Sequence, residues 1–231
     1  MVRLQEPPVG DNCMVRNEWI CPEYVTSRAE LLTDALVQHV WITVVSVLIG
    51  LVVAFPLALI ARRYRRLEGI VVGTTTAIYT IPSLALFALL LPISGLSAST
   101  VIIGLVLYSL TILVRNTLEG LRAVPEDVLE AARGMGYGAR RLLWTVEIPL
   151  ALPSIMAGLR VAAVSTVALT TVGSIVSYGG LGNLLLEAVT TGFKAQVFTA
   201  SVLCVLLAFV FDLIIVGAQR VMTPWTRTRA V

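Results

Sequence analysis

Residues 69–114 read GIVVGTTTAIYTIPSLALFALLLPISGLSASTVIIGLVLYSLTILV, a run of 46 residues without one Asp, Glu, Lys or Arg. As a single helix this run would be roughly 69 Å long, whereas the hydrocarbon core of a bilayer is about 30 Å thick. The run must therefore fold back, and Pro92 and Gly95 mark the place where the chain can turn. The sequence predicts two membrane-spanning helices here, near 70–91 and 99–114.

The overall composition extends this conclusion to the whole chain of 231 residues. Hydrophobic residues make up 57% and charged residues only 13%, against about 25% charged in a soluble domain, and the mean hydropathy is +0.89. A soluble enzyme or nucleic-acid binder is excluded, and the net charge of +3 says little as a total. Further spans are expected near 40–61, 152–177 and 196–218.

The positions of the basic residues predict the orientation of these five helices. Lys and Arg number twelve in the loops after the first and third spans and in the C-terminal tail, against four on the other side. Cytoplasmic loops carry the excess of Lys and Arg. We therefore expect an all-α protein with five transmembrane helices. Its N-terminal tail (1–35) is outside, and its C-terminal tail (221–231) is cytoplasmic.

The cytoplasmic loop at 115–150 has helical signals of its own. Pro125 suits a first helical position, and acidic residues follow it, so a helix is expected over about 126–133. Gly134, Gly136 and Gly138 permit a tight turn. A second helical piece is expected over about 139–147, ending before Pro149. Such a helix–turn–helix is suited to dock on another protein.

The spacing within this loop resembles the EAA motif of ABC importer permeases. The family pattern is E-A-A-x3-G-x9-I-x-L-P, and this chain has Glu130-Ala131-Ala132, Gly136 and then Val146-Glu147-Ile148-Pro149. The stretches IPSLALFALLLPISG, LVRNTLEGLRAVPEDVLEAARGMGYG and VEIPLALPSIMAGLR resemble the osmoprotectant branch of that family, whose members import glycine betaine, carnitine, choline or proline betaine. The resemblance covers about 36–220.

The resemblance implies a permease subunit of a type I importer in the bacterial plasma membrane. The coupling residues would be Glu130, Ala131, Ala132, Gly134, Gly136, Val146, Ile148 and Pro149. The implied partners are two ATPase subunits, a second permease copy or a related chain, and an extracytoplasmic solute-binding protein. This chain would bind no cofactor and be no enzyme. Its single Lys, Lys194, is not part of a phosphate-binding loop, so ATP and Mg would be used by the ATPase partner.

Candidate residues of the translocation path lie in and after the fourth span. Hydroxyls at Thr166, Thr170 and Thr171 can either bond neighbouring helices or line a polar path. The glycines at 179, 180 and 182 precede a short outer helix, and this region resembles the gate of the related permeases. Tyr79, Phe87 and Tyr108 can offer cation–π contacts, with core packing as the alternative.

Two charges, Arg160 and Asp212, lie well inside predicted spans. Charged residues there usually face the bundle interior or a partner, and both lie roughly 10–12 Å from the cytoplasmic helix ends. We expect a pair, with Arg160 reaching the headgroups alone as the alternative. Cys13 and Cys21 form a disulfide or stay free thiols. His39 is expected at the interface, and no metal site is predicted.

The main competing hypothesis is a secondary transporter or channel that needs no ATPase. Such proteins commonly contain paired repeats with coupling charges near the midplane, and neither is evident here. An intramembrane enzyme would need a nucleophile with a base inside the bilayer, and the only His lies at a predicted membrane edge. The solute and the choice between homodimer and heterodimer stay open.

Overall fold

The computed structural model describes residues 12–225, which form helices and turns without a β-strand. The helices are α1 (Pro22–Ser27), α2 (Ala29–Arg63), α3 (Arg65–Thr80), α4 (Ser83–Ser94), α5 (Ala98–Arg122), α6 (Glu126–Gly134), α7 (Ala139–Leu142), α8 (Ile148–Thr170), α9 (Leu181–Thr191) and α10 (Lys194–Met222). A π-helical turn, Leu143–Glu147, joins α7 to α8, and a 3-10 segment, Thr171–Val176, follows α8.

Four segments of the described chain are long and apolar enough to cross a membrane on their own. They are Ala29–Arg63, Ala98–Arg122, Ala139–Val176 and Lys194–Met222. The pair α3 and α4 passes the same test together, although the two helices meet at an angle of 100°. By length and composition the chain therefore has four spans, or five with the bent pair.

The centre of the bundle is built from α2, α5 and α8. Near one end, Ile42 packs with Val101 and Leu105, and near the other, Ala61 packs in one cluster with Leu118. Hence α2 and α5 run parallel. In contrast, α8 is antiparallel to α5, since its start packs beside Leu121 and the 3-10 segment that follows it contacts Val101.

Small residues permit this close packing. A Cβ at Gly158 would overlap the side chain of Asn116, and a Cβ at Gly120 would lie 2.8 Å from the Cβ of Ser154. Both glycines thus sit where α5 and α8 approach most closely. This is the usual composition of helix contacts in membranes, where backbones approach through small residues.

The segment near 70–91 is not one straight helix but the bent pair α3 and α4. The chain breaks at Ile81-Pro82, because proline has no N–H to donate and disfavours a helical residue before it; Ile81 is extended, with φ −67° and ψ 127°. The Tyr108 hydroxyl donates a hydrogen bond to the carbonyl oxygen of Ile81 at this break. Pro92 lies inside α4, and the turn that follows is made by Gly95, with φ +69°.

The other spans are longer than the charge-free runs indicate. The first helix begins at Ala29 rather than near 40, and it passes through Pro56 without ending. The third continues to Arg122, so 115–122 belongs to α5 and not to the loop. Charged residues at helix ends are compatible with helices that extend past the apolar zone, which composition alone does not reveal.

The two ends of the bundle differ in chemistry. At one end, the C-terminus of α2 meets the loop after α5, and arginines cluster there. At the other end, residues 12–28 fold over the α9–α10 turn, and Cys13 and Cys21 are joined by a disulfide with a Cα–Cα distance of 5.5 Å. We call residues 12–28 the cap.

Candidate functional site

The loop between α5 and α8 folds into a helix, a glycine turn and a second short helix, as its sequence predicts. Pro125 caps α6 from outside the helix rather than at its first position. At the other end of α6 the Tyr137 N–H donates to the Ala132 carbonyl at 3.1 Å and the Gly136 N–H to the Arg133 carbonyl at 2.9 Å. This pair of bonds is a Schellman motif, which requires a left-handed residue. Gly136 supplies it with φ +84°.

The three glycines of the turn therefore have different roles. Only Gly136 has a positive φ, while Gly138 has φ −69°. A Cβ at Gly134, Gly136 or Gly138 would meet no atom within 4 Å. Gly136 is therefore needed for the left-handed backbone conformation of the turn. Because none of the three glycines carries a side chain, this end of α6 is open to the surface of another protein.

The EAA motif divides into an inward and an outward part. Ala132 is buried with Val124, Leu129 and Leu142, and Val146 packs partly against them. Glu130, Ala131, Gly134 and Gly136 are exposed on the other side. The inward residues hold the loop together, and the outward residues form a surface, which we call the coupling face: Glu130, Ala131, Gly134, Met135 and Gly136. Met135 is 70% exposed.

The expected second piece over about 139–147 does not end before Pro149. Instead, α7 continues through the π-helical turn directly into α8, with Pro149 in the first turn of α8 and half-buried beside Ile148. A π-turn widens the helix by one residue, and this accommodates a proline that has no N–H for the preceding turn. Helix α7, the π-helical turn and α8 therefore form one continuous helix, which we call the rod.

A buried ion pair ties this rod to α2. Both guanidinium nitrogens of Arg62 donate to the Glu147 carboxylate, one of them at 3.0 Å. The Glu147 side chain is only 8% exposed and that of Arg62 25%. In the sequence, Arg62 counts only as one of the basic residues that indicate the orientation, and Glu147 occupies the variable position between Val146 and Ile148 of the motif. Neither was singled out, because the pair joins residues 85 positions apart.

Arginines surround the same junction. A groove of about 650 Å³ is lined by Arg62, Arg63, Arg133, Arg140 and Glu147, among others. Arg133 also donates to Glu126 at 2.7 Å, and this hydrogen bond raises the pKa of the Arg133 guanidinium further. The groove therefore carries positive charge at all physiological pH values. Such a surface attracts anionic partners or headgroups.

Arg160 and Asp212 are brought together, as the sequence analysis expects. The Arg160 guanidinium donates twice to the Asp212 carboxylate, with Nη2 to Oδ2 at 2.7 Å. The pair lies on a groove of about 470 Å³ that also includes Val161, Ser165 and Gln219. The Arg160 side chain is 48% exposed in the single chain. The pair thus joins α8 to α10 along an open face.

The threonines of α8 use their hydroxyls within the bundle. Thr166 donates to the Ala162 carbonyl at 2.7 Å, and Thr170 to the Thr166 carbonyl at 2.8 Å. Thr170 also lies 3.3 Å from the Thr43 hydroxyl of α2. Thr171 bonds the carbonyl of Ala168 at 2.7 Å. In this conformation Thr166 and Thr170 are buried in the bundle, whereas Thr171, the first residue of the 3-10 segment, is half-exposed.

The glycine turn before α9 is held tightly against α2. Gly180 has φ +55°, and a Cβ there would lie 2.6 Å from the Cβ of His39. The Gly180 N–H donates to the Gln38 side-chain oxygen at 3.1 Å, and the Gly179 N–H to Asn183 at 3.0 Å. A Cβ at Gly182 would overlap the backbone of Thr171. All three predicted gate glycines therefore lie at close backbone contacts.

The expectation that His39 lies at the interface is wrong. Its side chain is fully buried, and Nε2 lies 3.0 Å from the Val167 carbonyl oxygen of α8. The reason is that α2 begins eleven residues before the expected span near 40–61, so His39 falls within the packed helix. His39 thus forms the surface on which Gly180 rests.

Of the three candidate aromatics, two come together. Tyr79 and Tyr108 make an edge-on contact with ring centroids 5.8 Å apart, beside Ser165 and Thr166. The cavity between them is about 10 Å³, which is the size of one water molecule. Phe87 is fully buried among Ile42, Val101 and Leu105. Phe87 is therefore a core residue.

Taken together, the helical bundle, the arginine-rich end and the exposed motif of the loop are the features of a membrane permease. The chain matches the family of binding-protein-dependent transport system inner membrane components over residues 46–228. It belongs to that family, and the resemblance to ABC importer permeases is confirmed. The protein is a multi-pass membrane protein.

Relatives of known name share most of their length with this chain. It is 36% identical over 202 residues to the glycine betaine/carnitine/choline transport system permease protein OpuCD of Bacillus subtilis, covering 87% of this chain and 88% of that protein. The osmoprotectant import permease protein OsmW of Salmonella typhimurium is 34% identical, covering 87% and 96%. The solved structure of the inward-facing MetNI methionine ABC transporter has the same fold, with a TM-score of 0.75, 22% identity, and coverage of 85% of this chain and 98% of that one.

Proposed function

We propose that this chain is the permease subunit of an ATP-driven importer for a quaternary ammonium osmoprotectant such as glycine betaine, carnitine, choline or proline betaine. The proposed mechanism rests on the division of the EAA motif. Glu130, Ala131 and Gly136 are exposed, whereas Ala132 and Val146 of the same motif pack inward and stabilise the loop. The names of the relatives support the solute class.

In this proposal two ATPase subunits bind the coupling faces of two permease chains, either identical or related. Their movement passes from α6 through the continuous rod of α7 and the π-turn into α8. The Arg62–Glu147 pair transfers part of it to α2, because a buried bidentate pair resists separation. The inner ends of α2 and α8 then move together when ATP binds.

A solute-binding protein delivers the solute to the opposite end. We propose that α9 is the gate helix there and that its closure depends on the contact of Gly180 with α2 and of Gly182 with the end of α8. The path runs along the open face of α8, beside the Arg160–Asp212 groove. Thr166 and Thr170 are buried here and reach the path only if α8 rotates, whereas Thr171, at the start of the 3-10 segment, is already half-exposed.

The proposed topology has five spans, with the N-terminus outside and the C-terminus in the cytoplasm. Since α2 and α5 run parallel, α3 and α4 together return the chain from one end of the bundle to the other. The cluster of arginines lies at the cytoplasmic end. The Cys13–Cys21 disulfide lies at the other end, which faces the outside, and disulfides persist in such oxidising surroundings.

Uptake by proteoliposomes tests the function. The tagged chain is purified together with the proteins bound to it, reconstituted with ATP inside, and supplied with a purified solute-binding protein and labelled glycine betaine, choline or carnitine. We expect uptake that requires both ATP and the binding protein. Uptake driven by an ion gradient without ATP would contradict the importer and favour a secondary transporter.

Cysteine labelling tests the topology in a Cys204→Ser background. A membrane-impermeant maleimide on intact cells should label Thr190→Cys, on α9, and not Met135→Cys, at the end of α6. The reverse pattern would contradict the proposed topology, because it would arise either from an inverted orientation or from a bent pair that does not cross. Labelling of both positions from outside would mean that α8, which separates them, does not cross.

A further inference from the structure

The cap contacts the gate helix in a way that the family match does not cover, since that match begins at residue 46. The contact centres on Asn17. Its side-chain amide nitrogen donates to the Gly192 carbonyl oxygen at 3.0 Å, and its amide oxygen accepts from the Lys194 N–H at 2.8 Å. One side chain thus bonds both sides of the turn that joins α9 to α10.

These two bonds meet a need of the α9–α10 turn. The first N–H groups of a helix have no partner within the helix, and the residue that precedes α10, Phe193, has no side-chain hydrogen bond to offer. A helix N-cap is usually an Asn, Asp, Ser or Thr next to the helix in sequence. Here the side chain that caps the N-terminus of α10 is that of Asn17, which lies 177 residues away in the sequence.

The cap holds Asn17 ready for this contact. Asn17 has φ +51°, a left-handed conformation that asparagine tolerates better than most residues. The Asn17 N–H donates to the Met14 carbonyl at 3.2 Å, and the Glu18 N–H to the Cys13 carbonyl at 3.1 Å. The Cys13–Cys21 disulfide closes the loop around these turns. The amide is therefore presented on a closed loop rather than on a free tail.

A second contact supports the first from the other side of the turn. Tyr24 of α1 is 1% exposed and packs edge-on against Phe193, with ring centroids 5.3 Å apart. Tyr24 belongs to a buried cluster that includes both cap cysteines, Leu181 and Leu184 of α9, and Ala195 of α10. The cap therefore contacts the turn in two ways: Asn17 binds the backbone of the turn, and Tyr24 packs against its central side chain, Phe193.

The start of α9 is also attached, in this case to α2 through the bond from Gly180 to Gln38. The helix is therefore fixed at both ends, by α2 at its beginning and by the cap at its end. A gate helix fixed at both ends opens only when one attachment is released. Release from α2 follows from movement of α2, and the cap, which continues directly into α2 and packs on Leu32, must then release the α9–α10 turn or move with it.

We propose that the cap is an external clamp on α9 and that Asn17 is its positioning residue, which holds the α9–α10 turn and keeps the gate closed in the absence of solute. This inference rests on the proposed function of α9 as the gate. The clamp lowers futile opening, because the two hydrogen bonds and the Tyr24–Phe193 contact must break or move with α9 when the gate opens.

Hydrogen exchange of the purified chain tests the clamp without any transport assay. In Asn17→Ala we expect the Lys194 amide and the end of α9 to exchange faster by about tenfold, which two ordinary hydrogen bonds would produce. Asn17→Asp keeps an acceptor for the Lys194 N–H and loses the donor to Gly192, so the Lys194 amide should stay protected. Glu18→Gln, at an exposed cap charge next in sequence, is the matched control.

Hydrolysis of ATP without the solute-binding protein tests the role in gating. We expect it to rise severalfold in Asn17→Ala and in the double variant Cys13→Ser/Cys21→Ser, and to be unchanged in Glu18→Gln. Unchanged exchange at Lys194 would overturn the clamp. Faster exchange with unchanged hydrolysis would overturn the gating role. If the wild type shows no ATP-driven uptake, the proposed function fails, while the exchange data still decide whether the clamp exists.

Discussion

The loop between α5 and α8 is stabilised by a cluster of side chains from residues 124–146, whereas the turns on either side of α9 are held by residues 142, 175 and 177 positions away. The first region forms from local contacts and joins the bundle through a continuous helix and one buried ion pair. The second exists only when α2, α8 and the cap have assembled. The comparison teaches that the loop is built as one local unit, while the turns around α9 are held by contacts from several parts of the chain.

Breaking the Arg62–Glu147 pair should have the largest effect, since it separates the loop from α2. Glu147→Gln leaves Arg62 without its partner in a mostly buried site, and we expect a loss of about 3 kcal/mol in the free energy of unfolding. Uptake per ATP hydrolysed should fall in parallel. Thermal unfolding in detergent and coupled uptake measure the two effects.

The chain offers a matched control for this prediction. Arg122 and Glu68 form a second bidentate pair at the same end, at 2.7 and 2.5 Å, with side chains 47% and 25% exposed. Glu68→Gln should change little, because exposed pairs contribute little. The swap Arg62→Glu/Glu147→Arg should restore part of the coupling. Equal effects of Glu68→Gln and Glu147→Gln would show that burial of the pair is irrelevant.

At the outer end, Gly182→Ala should come next in size. The added Cβ overlaps the backbone of Thr171, which cannot move like a flexible side chain, and forced packing of this kind costs about 1–3 kcal/mol. Gly73→Ala is the control, since a Cβ there meets nothing within 4 Å. It should be neutral or stabilising, and thermal unfolding compares the two. An unaltered midpoint for Gly182→Ala would refute the close contact.

Within the loop, Gly136→Ala should have a smaller and local effect. A left-handed backbone at a residue with a Cβ costs about 1–2 kcal/mol, and this cost falls on the Schellman motif rather than on the bundle. Binding of the ATPase subunit should weaken by about tenfold, as measured by titration. Gly138→Ala should bind normally, and Gly136→Asn should recover much of the loss. Equal weakening by Gly138→Ala would mean that space, not conformation, is what matters.

Removal of an exposed charge on α6 should have the smallest effect. Arg133 and Glu126 are 52% and 66% exposed and pair with each other on the surface. Arg133→Ala should leave the unfolding temperature unchanged, because surface pairs contribute little. A clear drop would place Arg133 among the residues that hold the loop, against the local contacts described here.

The same contrast explains what the sequence could predict. The helix over 126–133, the glycine turn and the exposed motif follow from local spacing, and the structure has them. The break at Pro82 was visible as a proline, but composition does not distinguish a kink from a bend of 100°. Arg160 and Asp212 were found because charges are rare in spans.

The remaining contacts could not be predicted from the sequence, because the residues that form them lie far apart in the chain and are of common types. Gln38 is one of several polar residues near the start of a span, and Asn17 lies in a polar tail. His39 was misplaced because α2 extends beyond the charge-free run. Only the paired cysteines, Cys13 and Cys21, signalled structure in the tail, and they gave no indication of what that structure contacts.

The central claim is that the coupling face binds the ATPase subunit, and the exposed alanine of the motif tests it most directly. Tagged wild type, Ala131→Arg and Ala29→Arg, the same change at an exposed site on the opposite end, are purified from native membranes, and bound proteins are identified by mass spectrometry. We predict that an ATPase subunit accompanies the wild type and Ala29→Arg and is lost from Ala131→Arg, while all three unfold at the same temperature. Retention of the ATPase by Ala131→Arg, or its absence from a stable wild type, would contradict the account.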